Sequence, residues 1–320
     1  MKFAVVGAGA LGSIYALRLA QVAPVTRVVR ELSRAPRRIL AERVGASSGG
    51  EAHDAPPAAL EIPDDVGVVL VAVRVDQLDD ALLDRLAKGD APLRVVVVLT
   101  PLLPQLLARV QEKLGDRLVV AMPGIVAYAP DDATPAGELH LRYWTPKSAP
   151  TMLEARAQGD PRSSVVNDVA QAFVAAGIPC GVQPHVATIN AATTVAFFPL
   201  LLAVQASQGS IATLLADGKL LRLALDAGKE ARALAKTIGD LASFASLLLS
   251  FAGPFTVRAG VKLARMRAPE SIVFLEKHFG TKLRAQNSIM RAWIEELATT
   301  RGVGIDALRK LAALAIGEEG

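Results

Sequence analysis

The 320-residue chain has a single cysteine, Cys180. That excludes an intramolecular disulfide and a cysteine-built zinc site, and it fits a reducing cytoplasm, which is the location expected. The four histidines are scattered without metal-ligand spacing, and His53 and His140 have no partner pattern, so no metal is expected. Aromatic residues make up only 4% of the chain. Lys and Arg give a formal charge of +4, but acids lie between them and no basic stripe or tail forms, so no nucleic-acid partner is expected. Long apolar runs are also missing. Val195 to Val204 and Leu241 to Phe255 come nearest, fall short of the ~20 residues a spanning helix needs, and are interrupted by Pro199 or Pro254, so no membrane is expected. Met1-Lys2 leads straight into a strand and glycines, too short for a leader's apolar region, so no secretory leader is expected.

What is present is a 52% hydrophobic chain with 21% charge, long enough for two domains because single cores usually divide beyond about 250 residues. Its opening, K-F-A-V-V-G-A-G-A-L-G-S-I-Y-A-L-R-L-A-Q, reads as strand, glycine turn and helix. Phe3 to Val6 has strand length, and Gly7, Gly9 and Gly12 follow at G-x-G-x-x-G spacing. Gly7 lets the chain turn off the strand, Gly9 lets backbone approach a pyrophosphate, and Gly12 lets helix and strand pack closely. Ala10, Leu11 and Gly12 lie in the first helical turn, whose N–H groups and dipole favour an anion.

The next strand, Val25 to Arg30, ends in a base, and Arg34, Arg37 and Arg38 follow in a turn. An acid at that strand end would accept from a ribose 2′-OH, whereas an arginine accommodates a 2′-phosphate, so Arg30 favours NADP over NAD despite Glu31 beside it. Residues 47 to 63 read as loop with at most a short strand. Val66 to Val73 is a continuous apolar run, as a parallel strand buried on both faces should be, and Leu93 to Leu99 reads as the next buried strand. Arg74 and Thr100-Pro101 stand at their carboxyl ends, where such sheets bind ligands. Asp76 fits an N-cap for the helix carrying Leu78, Leu82, Leu83 and Leu86; Pro104 to Leu114 is helical and Leu118 to Met122 a strand. Glu138 to Trp144 and Ser148 to Leu153 read as exposed strands closing the sheet, Asn167 to Ala176 as a helix, and Ile178 to Val182 as the last strand. The alternation predicts an α/β chain: an N-terminal Rossmann-type doubly wound parallel sheet over 1–184, then a C-terminal all-helical domain over 185–320. The helices expected there are Asn190 to Gln208, Leu214 to Gly239, Leu241 to Leu249, Val257 to Met266 and Ser271 to Thr300. The low charge of Leu241 to Phe255 points to a homodimer through helix packing.

G-A-G-A-L-G at the start, Arg30 ending the second strand, Arg74 ending V-V-L-V-A-V, the helical second half and the closing R-G-V-G-I-D-A-L together resemble the ketopantoate reductase (2-dehydropantoate 2-reductase) family. The resemblance implies NADPH and a small 2-oxo acid meeting in a cleft between the two domains. It places the pyrophosphate on Gly7, Gly9 and Gly12, the 2′-phosphate on Arg30, and Arg74 near the cofactor phosphates. It also implies a lysine proton donor early in the helical domain, but this chain has no lysine between Lys147 and Lys219. The family's asparagine-glycine is replaced by Thr100-Pro101, and its substrate-binding glutamate falls near Gln286. Reducing a ketone needs a donor aimed at the oxygen that gains charge. Asn190, Gln205, Ser207 and Gln208 carry groups that can hydrogen-bond a carbonyl. A diverged branch of the superfamily is similar in another way, with a histidine at the domain start and an H-x-G-x-K-x-x-x-Q pattern, here His185 and His278, Gly280, Lys282 and Gln286. The catalytic candidates are therefore His185, Asn190, Lys282 and Gln286. The activity expected is an NADPH-dependent oxidoreductase acting on a small carbonyl compound other than ketopantoate. The alternative is a non-catalytic NADP-binding protein with a helical interaction module.

Overall fold

The computed structural model describes all residues except 45–49, 90, 92, 131–134, 147–148, 244–245, 247–252, 268–271, 274, 277–283 and 318–320. The chain divides into two compact units, Met1–Ala187 and Thr188–Gly320. In the first, the strands are β1 (Phe3–Val6), β2 (Val25–Val28), β3 (Arg38–Arg43), β4 (Glu51–Asp54), β5 (Ala58–Ala59), β6 (Val68–Val71), β7 (Val95–Val98), β8 (Leu118–Met122), β9 (Val126–Tyr128), β10 (Glu138–Trp144), β11 (Thr151–Glu154) and β12 (Cys180–Gln183). The α-helices between them are α1 (Ala10–Leu19), α2 (Asp80–Ala87), α3 (Pro104–Leu114) and α4 (Arg162–Ala175).

Eight strands form one sheet in the order β12-β11-β8-β7-β6-β1-β2-β5. From β5 to β8 every neighbouring pair is parallel, and β11 joins antiparallel to β8. The run β5-β2-β1-β6-β7-β8 is the 3-2-1-4-5-6 order of a dinucleotide-binding sheet, with its reversal between β1 and β6. Val, Leu, Ala and Phe fill β1, β6 and β7 because both faces are covered; all of Phe3–Val6, Val68–Val71 and Val95–Val98 are buried. The Rossmann-type reading of the first half is therefore observed.

A second sheet, in the order β4-β3-β10-β9, corrects three expectations. Glu138–Trp144 does not close the large sheet but pairs in parallel with Arg38–Arg43, and the expected arginine turn runs directly into that strand. Residues 47 to 63, read as loop with at most a short strand, contribute two strands, β4 to this sheet and β5 to the large one. Only Thr151–Glu154, of the two strands expected to close the large sheet, does so. The small sheet exists because its inner face, Ile39, Ala41, Leu141 and Tyr143, joins the main core. Helix α1 packs against β1 and β2 of the large sheet and also against β9 and β10. Its Tyr15 is fully buried, lies 5.4 Å from the Phe173 ring, and places its hydroxyl 2.7 Å from Thr151 Oγ1. Burial without a charged partner pushes the Tyr15 phenol up from its ordinary value.

The N-cap of α2 is Asp79, whose Oδ1 accepts from Leu82 N at 2.8 Å, and not Asp76. Residues Val75–Gln77 form a single 3₁₀ turn, and the Asp76 carboxylate is taken by Arg74. Helix α4 starts earlier than its apolar pattern, at Arg162.

The second unit carries α5 (Val186–Ala206, entered from the first unit), α6 (Ile211–Ala216), α7 (Gly218–Lys236), α8 (Pro254–Arg267), α9 (Arg284–Arg301) and α10 (Asp306–Ile316), with no strand among the described residues. The helix expected from Leu214 to Gly239 is broken at Asp217, whose carboxylate caps α7 by accepting from Lys219 N and Leu220 N. Most of the Leu241 to Leu249 helix, and the start of the Ser271 to Thr300 helix, lie outside the described residues. Helix α5 corrects the length estimate made for its apolar run: at 21 residues and mean hydropathy 1.8 it is long and apolar enough to cross a membrane. Most of it is buried within the fold, Phe198 and Leu202 completely, as a core helix requires.

Candidate coenzyme site

The candidate site is the carboxyl edge of β2, β1, β6 and β7. Gly7 leaves β1 at φ +111°, and a Cβ there would lie 2.6 Å from the Ala72 carbonyl oxygen at the end of β6. A Cβ on Gly12 would lie 2.0 Å from the Gly7 oxygen. These two glycines are therefore required by the turn itself. Gly9 differs: it is exposed, N-caps α1 with extended backbone, and a Cβ on it would meet nothing within 4 Å. The space before Gly9 and the first-turn N–H groups of Ala10, Leu11 and Gly12, which have no intrahelical acceptor, fit a phosphate group.

Arg30 lies exposed just beyond β2. Among the described residues it makes no ion pair, whereas Arg34 is held by Glu31 at 2.8 Å and Arg38 by Glu138 at 2.9 Å. That distinction separates Arg30 from Arg34 and Arg38 of the basic turn after it. Arg74 is exposed beyond β6 and forks onto Asp76, with Nε donating to Oδ1 at 2.9 Å and Nη2 to Oδ2 at 2.7 Å. The bond raises the Arg74 guanidinium and, with Arg30 adding to it, holds the Asp76 carboxyl below its usual range. Thr100 does not face outward as a coenzyme ligand would. It is 2% exposed, and its hydroxyl donates to the Val73 carbonyl at 2.7 Å, tying the end of β7 to the end of β6. Sequence reasoning missed Asp76 in this role because an aspartate before a leucine-rich helix reads first as a cap.

Of the catalytic candidates, His185, Asn190 and Gln286 lie among the described residues. His185 is exposed with φ +63°, a strained value for a residue with a Cβ, and its N–H donates to Glu154 Oε1 at 3.0 Å. Glu154 Oε2 also accepts from Ala187 N, so this carboxylate caps the start of α5; nothing in the local sequence marks that tertiary cap. Asn190 is 3% exposed on α5, and its Oδ1 accepts from Thr194 Oγ1 at 3.4 Å. Gln205 is also buried and accepts from Asn287 Nδ2 at 2.6 Å, while Ser207 donates to the Val204 carbonyl. Gln286 is half-buried on α9. His278, Gly280 and Lys282 lie outside the described residues, and of the expected polar stripe only Gln286 is described. No group of histidine, cysteine and acidic residues among the described residues could hold a metal.

Strand order and the glycine turn define a Rossmann-type α/β protein with a helical carboxyl-terminal region. Residues 3–100 match the family described as ketopantoate reductase PanE/ApbA. No curated relative matches the chain. Among solved structures, 2-dehydropantoate 2-reductase from Geobacter metallireducens matches with TM-score 0.68 at 17% identity, covering 98% of this chain and 99% of its own. A complex of D-mandelate dehydrogenase with NADH matches with TM-score 0.65 at 14% identity, covering 98% and 97%. The dimeric ketopantoate reductase from Staphylococcus aureus matches with TM-score 0.63 at 12% identity, covering 98% and 97%. The resemblance read from the sequence is thus shown, by sequence over residues 3–100 and by fold over nearly the whole chain.

Proposed function

We propose that the protein is an NADPH-dependent oxidoreductase that reduces a small 2-oxo acid or similar carbonyl compound other than ketopantoate. The observation that carries this reading is the open space at Gly9, framed by two glycines that tolerate no side chain, with two arginines at the same sheet edge. The amino-terminal family match and the fold shared with both 2-oxo-acid and 2-hydroxy-acid enzymes support it. Bound there, the nicotinamide would supply hydride. Gly9 and the α1 N-terminus would seat the pyrophosphate, Arg30 a 2′-phosphate, and Arg74 a neighbouring phosphate oxygen. An arginine fork suits a phosphate by geometry as well as charge.

With no lysine early in the helical unit, the carbonyl oxygen needs another donor. We assign orientation of the substrate to Asn190 and Gln286, with Lys282 or His185 delivering the proton, because an amide donates hydrogen bonds but does not release protons near neutral pH. The reading includes a cytoplasmic protein and a homodimer, supported by the lone half-buried Cys180 and by the dimeric structural neighbour.

The test is a fluorescence titration of the purified protein with NADPH and NADH, followed by NADPH oxidation across a panel of 2-oxo acids, aldehydes and ketopantoate. Tighter binding of NADPH than NADH is expected, with turnover of a 2-oxo acid and little of ketopantoate. Binding of neither coenzyme at millimolar concentration would sink the reading. Binding without turnover of any compound would favour the non-catalytic alternative, which the missing lysine motivates.

A further inference from the structure

We propose that Asp76 is a positioning residue for coenzyme binding: it clamps one edge of the Arg74 guanidinium and thereby presents the opposite edge to a coenzyme phosphate. The role rests on the reading above that this sheet edge seats a phosphorylated dinucleotide.

A guanidinium has five N–H groups in a rigid fork. Asp76 takes the Nε–H and one Nη2–H, at 2.9 and 2.7 Å. The remaining three point away from the carboxylate, in the two-donor geometry that fits a phosphate. The stem is held as well. Gln77 Oε1 accepts from Arg74 N, Gln77 N donates to the Arg74 carbonyl at 3.0 Å, and Thr100 anchors the preceding Val73 carbonyl at 2.7 Å.

Exposure separates this pair from an ordinary surface ion pair. The Asp76 side chain is 14% exposed and that of Arg74 45%, so the anion is the covered support and the cation faces outward. Arg30 also acts on Asp76 electrostatically, which places one carboxylate in the field of arginines from β2 and β6, the two strands that flank β1.

Two effects of opposite sign follow. The carboxylate repels a coenzyme phosphate, so removing it would tighten binding if charge were all that mattered. It also fixes a long, flexible side chain before the ligand arrives, so removing it would loosen binding if orientation mattered more. The covered position of Asp76 and the fixed stem of Arg74 favour orientation.

The sign is therefore the test, read as NADPH and NADH dissociation constants for the full-length wild type, Asp76→Ala, Arg74→Ala, the double variant and Asp76→Glu. Asp76→Ala is expected to weaken NADPH binding about tenfold, as misplacing a bidentate arginine does. The double variant should be no weaker than Arg74→Ala, because Asp76 acts through Arg74. Asp76→Glu should recover most of the affinity. Should Asp76→Ala fold poorly, Asp76→Asn, which keeps the shape and one acceptor, takes its place with the same expected direction. Unchanged or tighter binding by Asp76→Ala, or additive losses in the double variant, overturns the role of Asp76 alone. A wild type that binds neither coenzyme overturns the functional reading, and this role with it.

Discussion

Three glycines in one motif answer to different forces at the level of single residues, and substitution separates them. A methyl group at Gly12 would sit 2.0 Å from a backbone oxygen that has nowhere to move, so Gly12→Ala should lower stability by about 2 kcal/mol or more. Gly9→Ala meets no neighbour within 4 Å and should cost no more than about 1 kcal/mol, the scale of a helix-cap change, while weakening NADPH binding about tenfold. Urea denaturation and coenzyme titration of the two variants distinguish the structural glycine from the ligand-facing one. Cys180 supplies a pH-dependent test. Burial pushes its thiol up to about 12 from an unfolded value near 8.5, so the folded protein keeps a proton that the unfolded chain releases. The stabilisation this gives is fully present below about pH 8.5 and is lost as pH rises from there towards the folded value. The urea midpoint should fall through this alkaline range, and Cys180→Ala should delay the fall until Tyr15, also raised by burial, begins to contribute near pH 10.

Among elements, the helical unit is held by carboxylates reaching across from neighbouring helices. Helix α10 has no side-chain cap from its own N-cap residue, Ile305; instead the Glu230 carboxylate on α7 accepts from Ala307 N at 3.0 Å and Leu308 N at 2.9 Å. Glu230→Ala should therefore cost about 1–2 kcal/mol, the upper part of the capping range, with Glu230→Gln intermediate because it keeps an oxygen but not the charge. Chemical denaturation of both variants checks the order. These tertiary caps explain where reading the chain stops working. The strands buried on both faces, Val68–Val71 and Val95–Val98, were legible because a continuous apolar run has few other uses, and Pro104–Leu114 and Leu118–Met122 matched residue for residue. Arg38–Arg43 was not, because R-I-L-A-E-R becomes a strand by pairing with Glu51–Asp54 on one side and, on the other, with residues 138–143, far along the chain. Two buried arginines find their partners in carbonyls elsewhere in the chain, which local pattern does not mark. Arg27 donates to the carbonyls of Pro56 and Pro36, and Arg94 to those of Val66, Lys88, Pro63 and Asp64. At the site, Gly7, Gly9 and Gly12 were legible from spacing, while the Asp76 clamp and the inward turn of Thr100 required the third dimension.

For the whole molecule, the decisive property is that the chain is two compact units, Met1–Ala187 and Thr188–Gly320, with every described coenzyme candidate in the first. A ligand that binds only the folded state adds RT ln(1 + [L]/Kd) to its stability, about 2.7 kcal/mol at a hundred times Kd. NADPH at that ratio should therefore raise the thermal midpoint of whichever cooperative transition includes the large sheet. Hydrogen exchange read by peptide shows where the added protection falls. It should concentrate at the β1–α1 turn and the carboxyl ends of β2 and β6, because the slowing of local opening is confined to backbone the ligand touches. If α7 and α10 unfold with the large sheet, their amides gain the same global increment; if the units unfold separately, calorimetry shows a second transition that NADPH leaves in place. Either pattern is compatible with a coenzyme at Gly9. Protection confined to Thr188–Gly320, with none at Gly7–Gly12, would place the ligand elsewhere and remove the physical basis for assigning Arg30 and Arg74 to its phosphates.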